Sequence, residues 1–228
     1  MQHLLPPLPS VFSPVLLPAG ADALAHAAAI AGSHGAGTLV WGEDGRVLQL
    51  AVVLEPETTL AAARPALLVA LNAMADALGV LGPPEIPVTL RWPAGLLVNG
   101  GLAGHACLAT LPGAAEDAVP DWIVAGIRLD LRDDSPEPGL HPDRTTLAEE
   151  GFGGIDIPEL VAAWARHLMA GLAEWQAEGF RRLADRSLSR LETEAWMVGA
   201  RRGLDPGSGA LVLERDGDRS LYPLEPPP

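Results

Sequence analysis

The stretch Leu90 to Leu108, LRWPAGLLVNGGLAGHACL, constrains the fold more than any other part of the chain. Two apolar runs, Leu96 to Val98 and Leu102 to Leu111, flank Asn99-Gly100-Gly101. An Asn-Gly pair between apolar runs supplies the two positive-φ residues of a type I′ turn, so the stretch reads as a β-hairpin. Pro87 to Trp92 reads as a strand leading into it, which commits the middle of the chain to an antiparallel sheet. Gly101 opens the second strand of the hairpin. No lysine stands near it or anywhere else, because all fifteen basic residues of the 228 are arginine. Arginine in place of lysine, with abundant Ala, Gly and Pro, is what GC-rich coding produces. The chemical consequence holds whatever the cause: no lysine nucleophile, phosphate clamp or Schiff base is available.

The same reading extends along the chain. Residues 1 to 19 form a proline-punctuated opening segment, and Asp22 caps a short alanine-rich helix that stops near Gly32. GTLVW (37 to 41) is a strand, Glu43-Asp44-Gly45 a tight turn, and RVLQLAVVL (46 to 54) the returning strand. Thr58 or Thr59 caps a helix to about Leu78, with Leu67, Leu68, Leu71, Met74 and Leu78 on one apolar face. WIVAGIRLDL (122 to 131) is apolar on both faces until Arg128 and belongs in the centre of a sheet. Residues 132 to 144 are a charged, proline-bearing loop. A helix capped by Asp156 runs from Pro158 to near Gly179, its stripe of Leu160, Val161, Trp164, Leu168, Leu172 and Trp175 directed at a sheet. A further helical stretch, 180 to 194, carries clustered arginines. Short strands at 195 to 199, 203 to 213 and 219 to 224, the last two joined at Asp216-Gly217, make a small β appendage that is too small to be stable alone. The expected architecture is α+β: a mixed or antiparallel sheet with helices packed on one face. It divides into a main domain at 1–183 and a C-terminal helix-and-β appendage at 184–228.

Composition excludes several functions. A formal charge of −14 leaves no basic face for nucleic acid and disfavours anionic membrane surfaces. Cys107 is the single cysteine, so no intrachain disulfide forms and nothing marks an oxidising compartment. The apolar N-terminus is broken by Pro6, Pro7, Pro9, Pro14 and Pro18 and lacks a basic region, which argues against a signal peptide or a membrane span. The expected location is the cytoplasm. Six histidines, at 3, 26, 34, 105, 141 and 167, show no metal-ligand spacing.

In the order of its elements and in several motifs the chain resembles the biotin/lipoate protein ligase family, whose fold is related to class II aminoacyl-tRNA synthetases. GTLVW and VLQLAVVLEP, down to Pro56, resemble the strands around the family's nucleotide-and-biotin loop. RWP with LLVNGGLAG resembles its central motif, in which Trp-Pro-Asn-Asp leads to a lysine-led LAG turn. VAGIRLDL (124 to 131) resembles the strand reading GIGIN, and Thr145-Thr146-Leu147 the Thr-Ser-Leu after it. Gly203 to Leu213 and the Asp-Gly hairpin resemble the small C-terminal barrel. The resemblance implies biotin, lipoate or another small carboxylic acid or acyl group, with ATP, in a cleft lined by Arg91, Trp92, Gly101, Leu102, Ala103, Gly104, His105, Gly126, Arg128 and Asp130. It also leaves open a homodimer built on exposed strand edges.

The departures fall on the chemistry. Ala94 and Gly95 replace the Asn-Asp pair, and Gly101 stands at the family lysine. The long Gly/Arg-rich loop shrinks to Gly42-Glu43-Asp44-Gly45-Arg46, two of whose five residues are acidic and repel a phosphate. The glycine-rich Gly32-Ser33-His34-Gly35 precedes the strand and holds no arginine. Arg128 replaces a glycine and Asp130 an asparagine in the GIGIN-like strand. Arg128 is either a cation restored to the cleft or a solvent-facing arginine near a strand end. His105 reads as a ligand contact or an ordinary strand residue. Cys107, on its face, reads as a buried structural thiol or, less favourably, a nucleophile. Losing one preorganised contact to a developing oxyanion costs about a hundred to a thousand-fold in rate. The loss of both loop and lysine therefore predicts a protein without standard ATP-dependent biotinylation that binds an acyl-type ligand or a protein. The alternative is a transferase acting on an already activated acyl group through Cys107. A chain this acidic repels the acidic carrier domains that the resemblance implies, unless arginines around 181 to 202 form a local basic patch.

Overall fold

The computed structural model describes residues 5–134 and 143–224. A seven-stranded sheet with order β1-β2-β3-β7-β6-β5-β4 forms its centre. Its strands are β1 (Ser13–Leu16), β2 (Thr38–Glu43), β3 (Val47–Leu54), β4 (Val88–Arg91), β5 (Gly95–Val98), β6 (Gly101–Thr110) and β7 (Ile123–Asp130). All neighbours pair antiparallel except β1 with β2. The hairpin β5–β6 turns at Asn99 (φ 52°) and Gly100 (φ 86°), the two positive-φ positions the Asn-Gly pair predicts. The strand β7 is central, as its two-sided apolar pattern requires.

The helices form two unequal layers. On one face lie α3 (Ala66–Leu81), α4 (Ile157–Glu178) and α5 (Phe180–Arg190), over Leu39, Trp41, Leu48, Leu50, Ile127 and Leu129 from the sheet. On the other lies α1 (Ala23–His34), whose Ala23, Ala27 and Ala31 pack on Val40, Ala51, Val53 and Val124. The small alanine side chains let this helix approach the strands closely, and it adds a partial layer to the face expected to be open. Asp22 caps α1 by accepting from the Ala25 N–H at 2.9 Å. The expected helix from Thr59 to Leu78 is two, α2 (Leu60–Ala63) and α3, because Pro65 interrupts the pattern. The span Leu60–Leu81 is long and apolar enough to cross a membrane, but 72% of its apolar window is buried inside the fold. The stripe on α4 packs chiefly along α3 instead of directly on the sheet: Trp164 is fully buried and its indole N–H donates to the Ala70 carbonyl at 3.1 Å.

Three local expectations need correction. The opening segment contains β1, which the prolines obscured; as an edge strand it tolerates Pro14. Residues 195–197 form a 3-10 turn, not a strand. The expected strand 203–213 splits into the end of β8 (Arg201–Leu204) and β9 (Leu211–Arg215), and β10 (Asp218–Tyr222) completes a separate three-stranded sheet. The arginines of α5 also find partners beyond their own stretch. Arg186 and Arg190 both bind Asp76 of α3, and Arg182 bridges to Glu174 and Glu178 of α4. His3, His141 and most of the 132–144 loop lie outside the described residues.

Candidate functional site

Cross-strand register places a row of polar groups on the α1 side of the sheet. Gln49 of β3 pairs with Arg128 of β7, Arg128 with His105 of β6, His105 with Gly95 of β5, and Gly95 with Arg91 of β4. Directly opposed residues share a face, so Gln49, Arg128, His105 and Arg91 leave the sheet on one side. Gly95 carries no side chain, and Leu102 and Arg91 close over it: a Cβ there would meet Leu102 Cδ1 at 3.0 Å and Arg91 Cβ at 3.1 Å. Asp130, two residues after Arg128, is on the same side, and its carboxylate lies 3.9 Å from the Arg128 guanidinium. Leu102 belongs here too, because a β-bulge between β5 and β6 pairs it with Leu97, two residues from Gly95.

The next row, toward α1, is closed. Cys107 pairs with Gly126, and a Cβ at Gly126 would meet Cys107 Sγ at 2.9 Å and Leu24 of α1 at 3.0 Å. Burial, with a smaller contribution from Asp22, pushes the Cys107 thiol up to about 11. Such a thiol carries almost no thiolate at neutral pH. The first turn of α1 borders the row. The Ala23 N–H donates to Gln49 Oε1 at 3.3 Å, which ties the helix start to the polar row. At the other border runs the segment 143–147. Leu102 N–H donates to the Asp143 carbonyl at 2.9 Å and Thr145 N–H to the Leu102 carbonyl at 3.0 Å, so Arg144 lies beside Leu102. The His105 side chain is exposed at the rim. Desolvation, then Arg128 and Arg144, lower its pKa, while Asp130 opposes them.

The other expected residues fall elsewhere. Ala103 and Gly104 are buried in the strand, Ala103 among the core residues of the helix-packed face. Trp92 packs against that core as well. A Cβ at Gly101 would meet Thr145 Cγ2 at 2.7 Å and Cβ at 2.8 Å, so a side chain there would run into Thr145 and not into the polar row. Gln49 and Arg144 were not singled out in the sequence. Gln49 is the one polar residue in the apolar strand VLQLAVVL, which is the signal that would have found it. Arg144 precedes the Thr-Thr-Leu motif, but nothing in its spacing ties it to β6.

The β2–β3 turn is closed on itself. Gly45 N–H donates to Glu43 Oε2 at 2.6 Å, and Arg46 and Val47 N–H groups donate to Asp44 Oδ1 at 3.0 and 2.8 Å. The N–H groups of Val47 and Arg46 hold the Asp44 carboxyl below its ordinary value. A phosphate-binding loop offers free N–H groups to its ligand; this turn offers them to its own carboxylates.

The profile of the biotin/lipoate A/B protein ligase family matches residues 5–189. The chain belongs to that family. It is 29% identical over 188 residues, 75% of each chain, to a biotin–[acetyl-CoA-carboxylase] ligase from Paracoccus denitrificans. Among solved structures it matches a biotin protein ligase-like protein of unknown function from Silicibacter sp. tm1040, with a TM-score of 0.82, 29% identity and 96% of both chains covered. The Aquifex aeolicus biotin protein ligase in complex with biotin and ATP shares the fold at a TM-score of 0.69, with 14% identity over 92% of this chain and 94% of that one.

Proposed function

We propose that the chain is a family member that binds a small carboxylic acid or acyl group in the cleft of the Gln49–Arg128–His105 row and does not carry out standard ATP-dependent biotinylation. The observation that carries this is the self-satisfied β2–β3 turn, whose Gly45, Arg46 and Val47 N–H groups are all taken by Glu43 and Asp44. The phosphates of ATP do not fit such a turn, because two carboxylates meet them and no N–H group is free to. Two further points support the reading. The chain holds no lysine, and the position matching the family lysine, Gly101, packs against Thr145.

A second reading, a ligase or transferase that starts from a pre-activated acyl group, is favoured by the 29% identity to a named biotin ligase. Its nucleophile would have to be Cys107, and a thiol near 11 between Gly126 and Leu24 is a poor one. Release of AMP and pyrophosphate from ATP with biotin, lipoate or octanoate separates the readings. We expect none above background, together with a thermal shift on adding at least one of the acids. A ligand at 100 times its Kd adds about 2.7 kcal/mol. Steady turnover with any of the three acids sinks the proposal. Activity with an acyl-adenylate that disappears in Cys107→Ala establishes the second reading.

A further inference from the structure

The arginines of this acidic chain are not evenly satisfied. Away from the cleft several reach acids or carbonyls. Arg186 and Arg190 bind Asp76, Arg64 binds Glu116, Arg166 binds Glu159 at 2.6 Å, and Arg202 donates to the Leu191 carbonyl at 2.9 Å. At the cleft the balance reverses. Among the described residues Arg128 meets only Asp130, at 3.9 Å, beyond hydrogen-bonding distance. Arg144 has no side-chain hydrogen bond or ion pair among the described residues. One carboxylate therefore faces two guanidiniums and a histidine, a locally positive spot in a chain of −14. Both arginines are held by backbone pairing: Arg128 by its β-ladder partners Gln49 and His105, Arg144 by the bridge to Leu102.

We propose that Arg128 and Arg144, with His105 beside them, form an anion seat that holds the carboxylate of the bound acid. The seat supplies the positive charge that no lysine in this chain can. It rests on the acyl-ligand reading of the cleft and adds to it an end-to-end orientation, with the acid group at Arg128 and Arg144 and the apolar part along the half-buried Leu102. Guanidinium suits this task, because its fork of donors matches the two oxygens of a carboxylate and stays charged at any working pH. Asp130 then acts as a positioning residue that orients Arg128 without neutralising it.

The test compares octanoate, biotin and lipoate with their primary amides by calorimetry, on the wild-type chain and on Arg128→Gln, Arg144→Gln and, as a distant control, Arg181→Gln. In parallel, acetate is titrated while the ring protons of His105 are followed by NMR. We expect an acid to bind and its amide not to. Its affinity should fall at least tenfold in Arg128→Gln, fall less in Arg144→Gln and stay unchanged in Arg181→Gln. Acetate should shift His105 saturably, and Arg128→Gln should abolish the shift. Equal binding of acid and amide overturns the seat and leaves the acyl cleft standing. A saturable acetate response with no binding of any longer acid keeps the seat and removes the acyl reading. A His105 response that is linear in ionic strength, with no acid bound, removes both.

Discussion

The two faces of the central sheet use charge in opposite ways. Over the helix-packed face, Asp76 of α3 receives both Arg186 and Arg190, and its side chain is only 13% exposed. Asn72, one turn away, donates to Ser187 Oγ at 2.8 Å and accepts from Arg190 at 3.0 Å. Each group in that network ties α5 to α3. On the α1 side, the Arg128 and Arg144 side chains join no two elements by a hydrogen bond or ion pair among the described residues. Where ionic groups brace helices, helix packing brings acids to meet them. Where they do not, the charge is free to meet a ligand. The contrast separates a stability device from the proposed binding device within one acidic chain, and each substitution tests on which side of it a residue stands.

The largest effect is expected deep in the helix-packed face. Trp164→Ala removes a fully buried side chain and leaves the Ala70 carbonyl without its indole donor. It should destabilise the chain by about 3–5 kcal/mol in denaturant unfolding. A loss under about 1 kcal/mol would mean that α4 is not the brace described here. Asp76→Ala comes next. It strands two guanidiniums that are about a quarter to a third exposed, at 36% and 26%. Partial solvation keeps the cost below that of a fully buried pair, at roughly 2 kcal/mol. Acid affinity at the cleft should not change in the folded fraction. If it does, the two faces are coupled and the contrast fails.

How much of this was legible in the sequence follows the same division. Strands β2, β3, β5, β6 and β7 were readable because apolar runs and Gly-containing turns punctuate them. The expected stripe on α4 was right in membership and wrong in target, since a 3.6-residue period says which side is apolar and not whether a sheet or a helix covers it. The strand β1 was hidden by Pro14, and the α1 layer by alanine, whose small side chain carries little periodic contrast. The polar row was legible in part. Arg128 and Asp130 stood out as departures from a family pattern and His105 as a histidine within the LAG hairpin, whereas Gln49 and Arg144 reach the site only through register and through a bridge between segments over forty residues apart. The partner of Arg186 and Arg190 was out of reach for the same reason: Asp76 is more than a hundred residues upstream.

A smaller change sharpens the cleft side. Gly101→Lys restores the family residue type, but its Cβ must displace Thr145. Overpacking of this kind costs about 1–3 kcal/mol, and the lysine should not give ATP turnover while Glu43 and Asp44 occupy the N–H groups of the turn. Thermal melting and AMP release check both halves. Turnover in the single variant would show that the lysine alone, and not the turn, was the missing element.

The smallest expected effect on stability, and the most specific to the contrast, is at the polar row itself. Arg128→Gln should change folding stability by less than about 0.5 kcal/mol, because the side chain braces nothing. Its signature is in pH dependence. His105 is faced by Arg128 and Asp130 from β7 and by Arg144 from the 143–147 segment; Asp22 of α1 sits by Cys107, two residues along β6. Its folded pKa is lowered, so its neutral form is favoured by folding. The associated stability is fully present above the unfolded value and is lost as pH falls below it. Removing Arg128 lifts one of the causes and should move the His105 titration, followed by NMR, upward toward its ordinary value. A bound carboxylate should move it in the same direction by countering both arginines. Acid affinity should then rise as pH falls through the window between the lowered free value and the raised bound value, and Arg128→Gln should flatten that rise. A His105 titration indifferent both to Arg128→Gln and to ligand would place the imidazole outside the field of the arginines, and the row would be a strand surface and not a site.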